Sequence, residues 1–171
     1  EDAIEKEDNT LIELAVRRIN LVRSISVSIG GIPLLYAGDE YGVLNDYTFL
    51  SDPAKVKDSR WVHRSRKRWE AAEDLKNQNT LEWRFFHEMV KLFRLRKQSP
   101  ALRNGGMELI DTGSPHLLGY IRECQTQRLL VVNNFSESDQ VMKAEKLAAA
   151  GMRFNAQELL TQTTLTAGQN L

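Results

Sequence analysis

Cysteine is almost absent from this 171-residue chain: Cys124 stands alone, which excludes an internal disulfide framework and any multi-cysteine zinc or iron–sulfur site. Histidine is scarce as well. His63, His87 and His116 lie far apart, and no His-x-x-x-His or Glu-x-x-His pair offers a metal site. No uncharged apolar run approaches the roughly 18 residues that a membrane helix requires. Charge of one sign is missing too. Lys+Arg and Asp+Glu each number 23, a balance that argues against nucleic acid or an anionic membrane as partner. There is no phosphate-cradling Gly-x-x-x-x-Gly-Lys loop, no Gly-x-Gly-x-x-Gly turn and no Gly-x-Ser-x-Gly elbow. Residues 1–8, EDAIEKED, are the opposite of a basic signal-peptide start, which favours a cytoplasmic location without fixing it.

What remains is ordinary for a globular protein: 42% hydrophobic and 27% charged residues, too apolar for a disordered tail. The length allows one domain or two small ones.

Residues 9–29 are expected to form a helix, capped by Asp8 or Asn9, with Leu11, Leu14, Ala15, Val22, Ile25 and Ile29 at helical spacing. Gly30-Gly31 ends it, because glycine tolerates the left-handed conformation that a helix end needs. The continuously apolar residues 32–37, Ile-Pro-Leu-Leu-Tyr-Ala, predict a strand buried on both faces, as in a parallel sheet. Gly38-Asp39-Glu40 follow at once. Helix, Gly-Gly, buried strand and then carboxylates is the grammar of one unit of a (β/α) barrel, whose functional groups gather at that end of the strands.

Residues 41–80 show little periodicity and are expected to form a long ordered loop, with a short helix around 66–76. Thr80 caps a second helix running to about Lys97, with Leu81, Phe85, Met89 and Leu92 on its apolar side. Beyond Pro100 the texture changes. Residues 107–112, 117–122 and 129–133 predict short antiparallel strands, and 141–144 and 158–160 are weaker candidates. The expected organisation is therefore α+β: residues 1–100 as a helix–strand–loop–helix piece of a barrel, and residues 101–171 as an antiparallel β domain.

Two clusters attract a functional reading. Asp39, Glu40, Asn45 and Asp46 either hydrogen-bond backbone amides to tie down the loop, or form a polar rim for a hydroxyl-rich ligand. Asp58-Ser59-Arg60-Trp61-Val62-His63-Arg64 brings two guanidiniums, an indole and an imidazole together. Sugars need planar donors for their hydroxyls and flat apolar faces for their rings, and this run has both. A structural Arg–Asp network is the competing reading. His87, His116 and Cys124 read as structural or surface residues. Asn134-Phe135-Ser136 matches a glycosylation sequon, a tripeptide that arises often by chance.

Residues 31–40, GIPLLYAGDE, closely resemble the eighth barrel strand of family 13 glycoside hydrolases, the α-amylase clan. Their continuation through Leu44-Asn45-Asp46, together with residues 58–64, resembles the amylosucrases within that clan. Gly119-Tyr120-Ile121-Arg122 and Asn133-Asn134-Phe135-Ser136 are similar to the carboxyl-terminal domain of the same enzymes.

The resemblance implies a (β/α)8 barrel followed by a β-sandwich carboxyl-terminal domain, with both ends of this chain truncated. It implies retaining transfer of glucose from sucrose to an α-1,4-glucan or to water, a two-carboxylate chemistry that needs no cofactor and no metal. The catalytic carboxylates would belong to earlier barrel strands, so no catalytic residue is assigned here and the chain alone is expected to be inactive. By the same resemblance Arg60 pairs with an upstream aspartate at the closed end of the glucose pocket, and Arg64 and His63 stand on the pocket wall. Asp46 and Asn45 fall near the acceptor side. Asp39, Glu40 and Asp58 organise the loop. Trehalose synthase, an α-glucosidase or a non-catalytic binding module are the alternatives.

Overall fold

A computed structural model describes residues 1–66, 73, 75–152 and 156–165 of the chain. The expected short helix around 66–76 falls largely outside these residues. The fold is α+β, divided into two compact units: Glu1–Asn20 with Leu34–Val90, and Leu21–Pro33 with Lys91–Leu171.

The first unit begins with helix α1 (Asp2–Glu5) and the amino-terminal part of helix α2 (Asn9–Ser28). Asp8 is the cap of α2: its carboxylate accepts from the amides of Thr10 and Leu11, both at 3.0 Å, satisfying donors that a helix start leaves free. Helix α3 (Leu81–Gln98) starts the same way, the Thr80 hydroxyl accepting from the Trp83 amide at 3.2 Å. Among the described residues of this unit, Val16, Phe49, Phe85 and Met89 are the buried apolar ones. Arg84 on α3 donates to Glu13 on α2 at 2.7 Å, which holds the Glu13 carboxyl below its usual range. Among the described residues, three short 3-10 turns follow α2 along the chain, Asp39–Tyr41, Tyr47–Ser51 and Ser59–His63.

The second unit holds the end of α2, the end of α3, a short helix α4 (Pro100–Asn104) and a three-stranded antiparallel sheet. Its strands are β1 (Gly106–Ile110), β2 (Leu117–Cys124) and β3 (Gln127–Asn134), in that order. Register is set by the Leu109–Tyr120–Val131 and Glu108–Ile121–Leu130 rows. Tyr120 is fully buried, and its hydroxyl meets that of Ser28 on α2 at 2.6 Å. Helix α5 (Ala144–Ala149) follows, then a two-stranded ladder of β4 (Ala156–Gln157) and β5 (Thr164–Leu165).

Three expectations need correction. Residues 32–37 form no strand, and Ile32 and Leu34 are 87% and 90% exposed. A parallel strand takes its hydrogen bonds from neighbours on its edges, and among the described residues no strand lies beside this run; continuous apolarity alone does not make one. Residues 141–143 lead into α5 rather than pairing, and residues 158–160 form the turn between β4 and β5. There Glu158 accepts from the Leu160 amide at 2.9 Å and from both the amide and hydroxyl of Thr161.

Candidate functional site

The candidate site is built on the loop of the first unit. Its foundation is Gly42, whose φ of +74° suits glycine and which lies so close to the Phe85 ring that a Cβ would stand 2.4 Å from it. This close approach seats the Asp39–Tyr41 turn on α3. Glu40 reaches back to accept from the Gly38 amide at 2.6 Å. Asp39 donates its own amide to the Tyr36 carbonyl at 3.0 Å, and the Val43 amide closes the turn on the Gly38 carbonyl at 3.1 Å.

Beyond the turn, aspartates recur every six residues. The carboxylate of Asp46 accepts from the Thr48 amide at 2.9 Å, that of Asp52 from the Ala54 amide at 2.9 Å, and that of Asp58 from the Arg60 amide at 3.1 Å. Each is a short side chain bonding two residues ahead, which bends the backbone into a turn. The Thr48 hydroxyl also donates to Asp46 at 2.6 Å. All three carboxyls are held below their ordinary range: Asp46 chiefly by the Thr48 hydroxyl, Asp52 by Lys55 and Asp58 by Arg60.

The two sequence clusters meet in this loop. Asp46 donates its amide to the Val62 carbonyl at 2.8 Å, the Ser65 hydroxyl donates to the Leu44 carbonyl at 2.8 Å, and the Asn45 side-chain oxygen lies 3.0 Å from His63 Nδ1. Asn45 also donates its side-chain amide toward the Tyr47 hydroxyl at 3.4 Å and its backbone amide to Glu1 at 2.5 Å. Asn45 and His63 are both exposed.

Arg60 forks onto Asp58, with Nε to Oδ1 at 2.8 Å and Nη2 to Oδ2 at 3.0 Å, while its side chain stays 75% exposed. Within this chain its partner is thus the local carboxylate. The Trp61 indole has the Arg64 guanidinium 5.0 Å and the Lys55 ammonium 5.2 Å from its ring centre. Its π-system attracts cations of its own loop, so Trp61 is not a bare platform for a sugar ring here. His87 stacks on Trp83 at 4.0 Å and bonds its carbonyl, and His116 is exposed; neither joins the loop. Among the described residues no group of three or more His, Cys, Asp or Glu is placed to hold a metal, and no helix is long and apolar enough to cross a membrane.

Sequence reasoning missed Thr48, Lys55 and Ser65. Local spacing was the available signal for the first two, Thr48 standing two residues after Asp46 and Lys55 three after Asp52. Nothing in the sequence pattern marks Ser65.

No protein-family model matches the chain. Among curated proteins, it is similar to one described as probable oligo-1,6-glucosidase 2 of Bacillus subtilis (strain 168), with 43% identity over 56 residues. The similarity covers 33% of this chain and 10% of that protein, so the match spans about a tenth of the relative's length.

Proposed function

We propose that this chain is the carboxyl-terminal part of a retaining α-amylase-family enzyme that moves the glucosyl unit of sucrose to an α-1,4-glucan or to water. Residues 1–100 end the (β/α)8 barrel and residues 101–171 belong to a β-sandwich domain. The observation that carries the reading is the joining of the Leu44–Asp46 and Asp58–Arg64 segments through the Asp46–Val62, Ser65–Leu44 and Asn45–His63 bonds. Segments that resemble one enzyme type in sequence share one small polar surface, which a chance resemblance would not require.

The chemistry divides accordingly. A nucleophilic carboxylate and an acid/base carboxylate on opposite faces of the sugar lie in other parts of the enzyme. This chain supplies the frame. Arg60 offers a planar fork to an aspartate and to sugar hydroxyls at the closed end of the pocket, with Arg64 and His63 beside it on the wall. Asn45 and Asp46 face the acceptor side, while Asp39, Glu40 and Asp58 hold the loop.

A second reading, an α-glucosidase acting on α-1,6 links, is favoured by the likeness to the Bacillus protein. A donor panel separates the two. The full reading frame is expected to release fructose from sucrose and to leave isomaltose intact. Cleavage of isomaltose without any action on sucrose would select the glucosidase reading instead.

A further inference from the structure

Gly105 is a glycine for want of space rather than for its dihedrals. Its φ of −72° is ordinary, yet a Cβ on it would stand 2.4 Å from the Ala101 carbonyl oxygen and 2.6 Å from that of Glu123. The residue before it is Asn104, exposed at the end of helix α4. Packing therefore demands glycine at the one place in the sequence where an asparagine precedes it. Such a pair is chemically fragile. The backbone nitrogen that follows an asparagine can attack its side-chain carbonyl carbon, and glycine has no Cβ to hinder the approach.

In the fold that nitrogen is occupied. The Gly105 amide donates to the Ala101 carbonyl at 3.0 Å. Arg122 on β2, only 3% exposed, closes over the same group. Its Nε and Nη2 donate to the Ala101 carbonyl at 3.3 and 3.1 Å, and Nη2 also reaches the carbonyls of Leu102 at 3.3 Å and Gly105 at 2.8 Å. A guanidinium is a rigid plane, so it fixes at once the carbonyl that holds the Gly105 amide and the carbonyl of Gly105 itself.

We propose that Asn104–Gly105 is a site of spontaneous deamidation in this chain, and that Arg122 is the residue that holds the reaction off. The Gly105 nitrogen bonds to Asn104 Cγ, the Cγ–Nδ2 bond breaks, and the amide proton leaves on ammonia through solvent, which gives a succinimide. Water then opens either ring carbonyl to aspartate or isoaspartate. Nothing is oxidised or reduced, and water is the co-reactant. Ring closure needs the Gly105 amide released from Ala101 and Asn104 out of its helical dihedrals, so the end of α4 must open first. Isoaspartate lengthens the main chain by one carbon just ahead of the Gly106–Glu123 pair that begins the β1–β2 ladder. This chemistry is independent of the sugar site.

The test is to age the 171-residue chain in mildly alkaline buffer and follow each asparagine by peptide mass spectrometry, with enzymatic methylation of isoaspartate as a second readout. In urea Asn104 is expected to convert ahead of the other asparagines, and in the folded chain about tenfold or more slowly than in urea, since the reactive form is a local opening. Asn104→Gln should remove the signal. Arg122→Lys keeps the charge without the planar fork, and should raise the folded-chain rate at Asn104 several-fold. Tyr120→Phe is the comparison, because it loosens the same strand through the Ser28 bond rather than through Gly105. Compared at urea concentrations that give equal folded fractions, it should leave the rate near wild type. Equal rates in the two variants would overturn the role of Arg122. A folded chain that converts as fast as the unfolded one would overturn the whole proposal. If Arg122→Lys does not fold, hydrogen exchange of the wild-type Gly105 amide decides: protection like that of the β2 amides is expected, and exchange at the unprotected rate would contradict it.

Discussion

Asp46, Asp52 and Asp58 each organise the backbone two residues ahead, and the same ionised carboxylates tie the loop to Thr48, Lys55 and Arg60. Their pKa values lie below those of an unfolded chain. Depressed carboxylates contribute stability above the ordinary carboxylate range, and that contribution is lost as pH falls through the folded values. The loop should therefore loosen on the acid side before the helices melt. Trp61 reports it, once Trp69→Phe and Trp83→Phe leave it as the single indole. Its emission is expected to change below the usual carboxylate range, and Asp58→Asn should flatten part of that change. An emission flat down to the global unfolding step would count against the loop account. Tyr120 makes a second case. Ser28 already donates to the Ser24 carbonyl at 2.5 Å, so the buried phenol is the donor of the 2.6 Å bond. Tyr120→Phe should cost about 1 to 2 kcal/mol by urea unfolding, the usual loss for one buried hydrogen bond.

At the scale of elements, what was legible follows what is local. The two long helices show a 3.6-residue period and side-chain caps, and their observed bounds agree with the pattern to within a residue or two. Strands β1, β2 and β3 alternate or run apolar between turn residues, and they pair as neighbours in sequence. The segment at residues 32–37 was misjudged because a parallel strand depends on partners distant in sequence. The Asn45–His63 contact was equally hidden, since both residues lie in a loop with no regular period to pair them. Ile32, Leu34, Leu35 and Tyr36 consequently leave an apolar run in water. Unpaired apolar backbone of this kind invites pairing with another chain. The 171-residue chain should self-associate in solution, and Leu34→Asp should reduce that association. Because Leu34 is exposed, the same change should move stability by no more than about 0.5 kcal/mol. A compact monomer by scattering, with little dye-accessible apolar surface, would contradict this expectation.

For the whole molecule, the claim at stake is that the loop of the first unit lines a sugar pocket whose reacting carboxylates come from elsewhere in a larger enzyme. In this chain the fork of Arg60 is held by Asp58 while its side chain stays largely in water, so the account requires it to exchange that carboxylate for another. The 171-residue chain by itself should release no fructose from sucrose. The most direct measurement is kcat/KM for sucrose in the full reading frame, wild type against Arg60→Ala, with folding checked by circular dichroism. The account predicts a fall of about tenfold or more, the size of one lost transition-state contact, with poor rescue by Arg60→Lys. A folded Arg60→Ala enzyme that keeps the wild-type kcat/KM would contradict it.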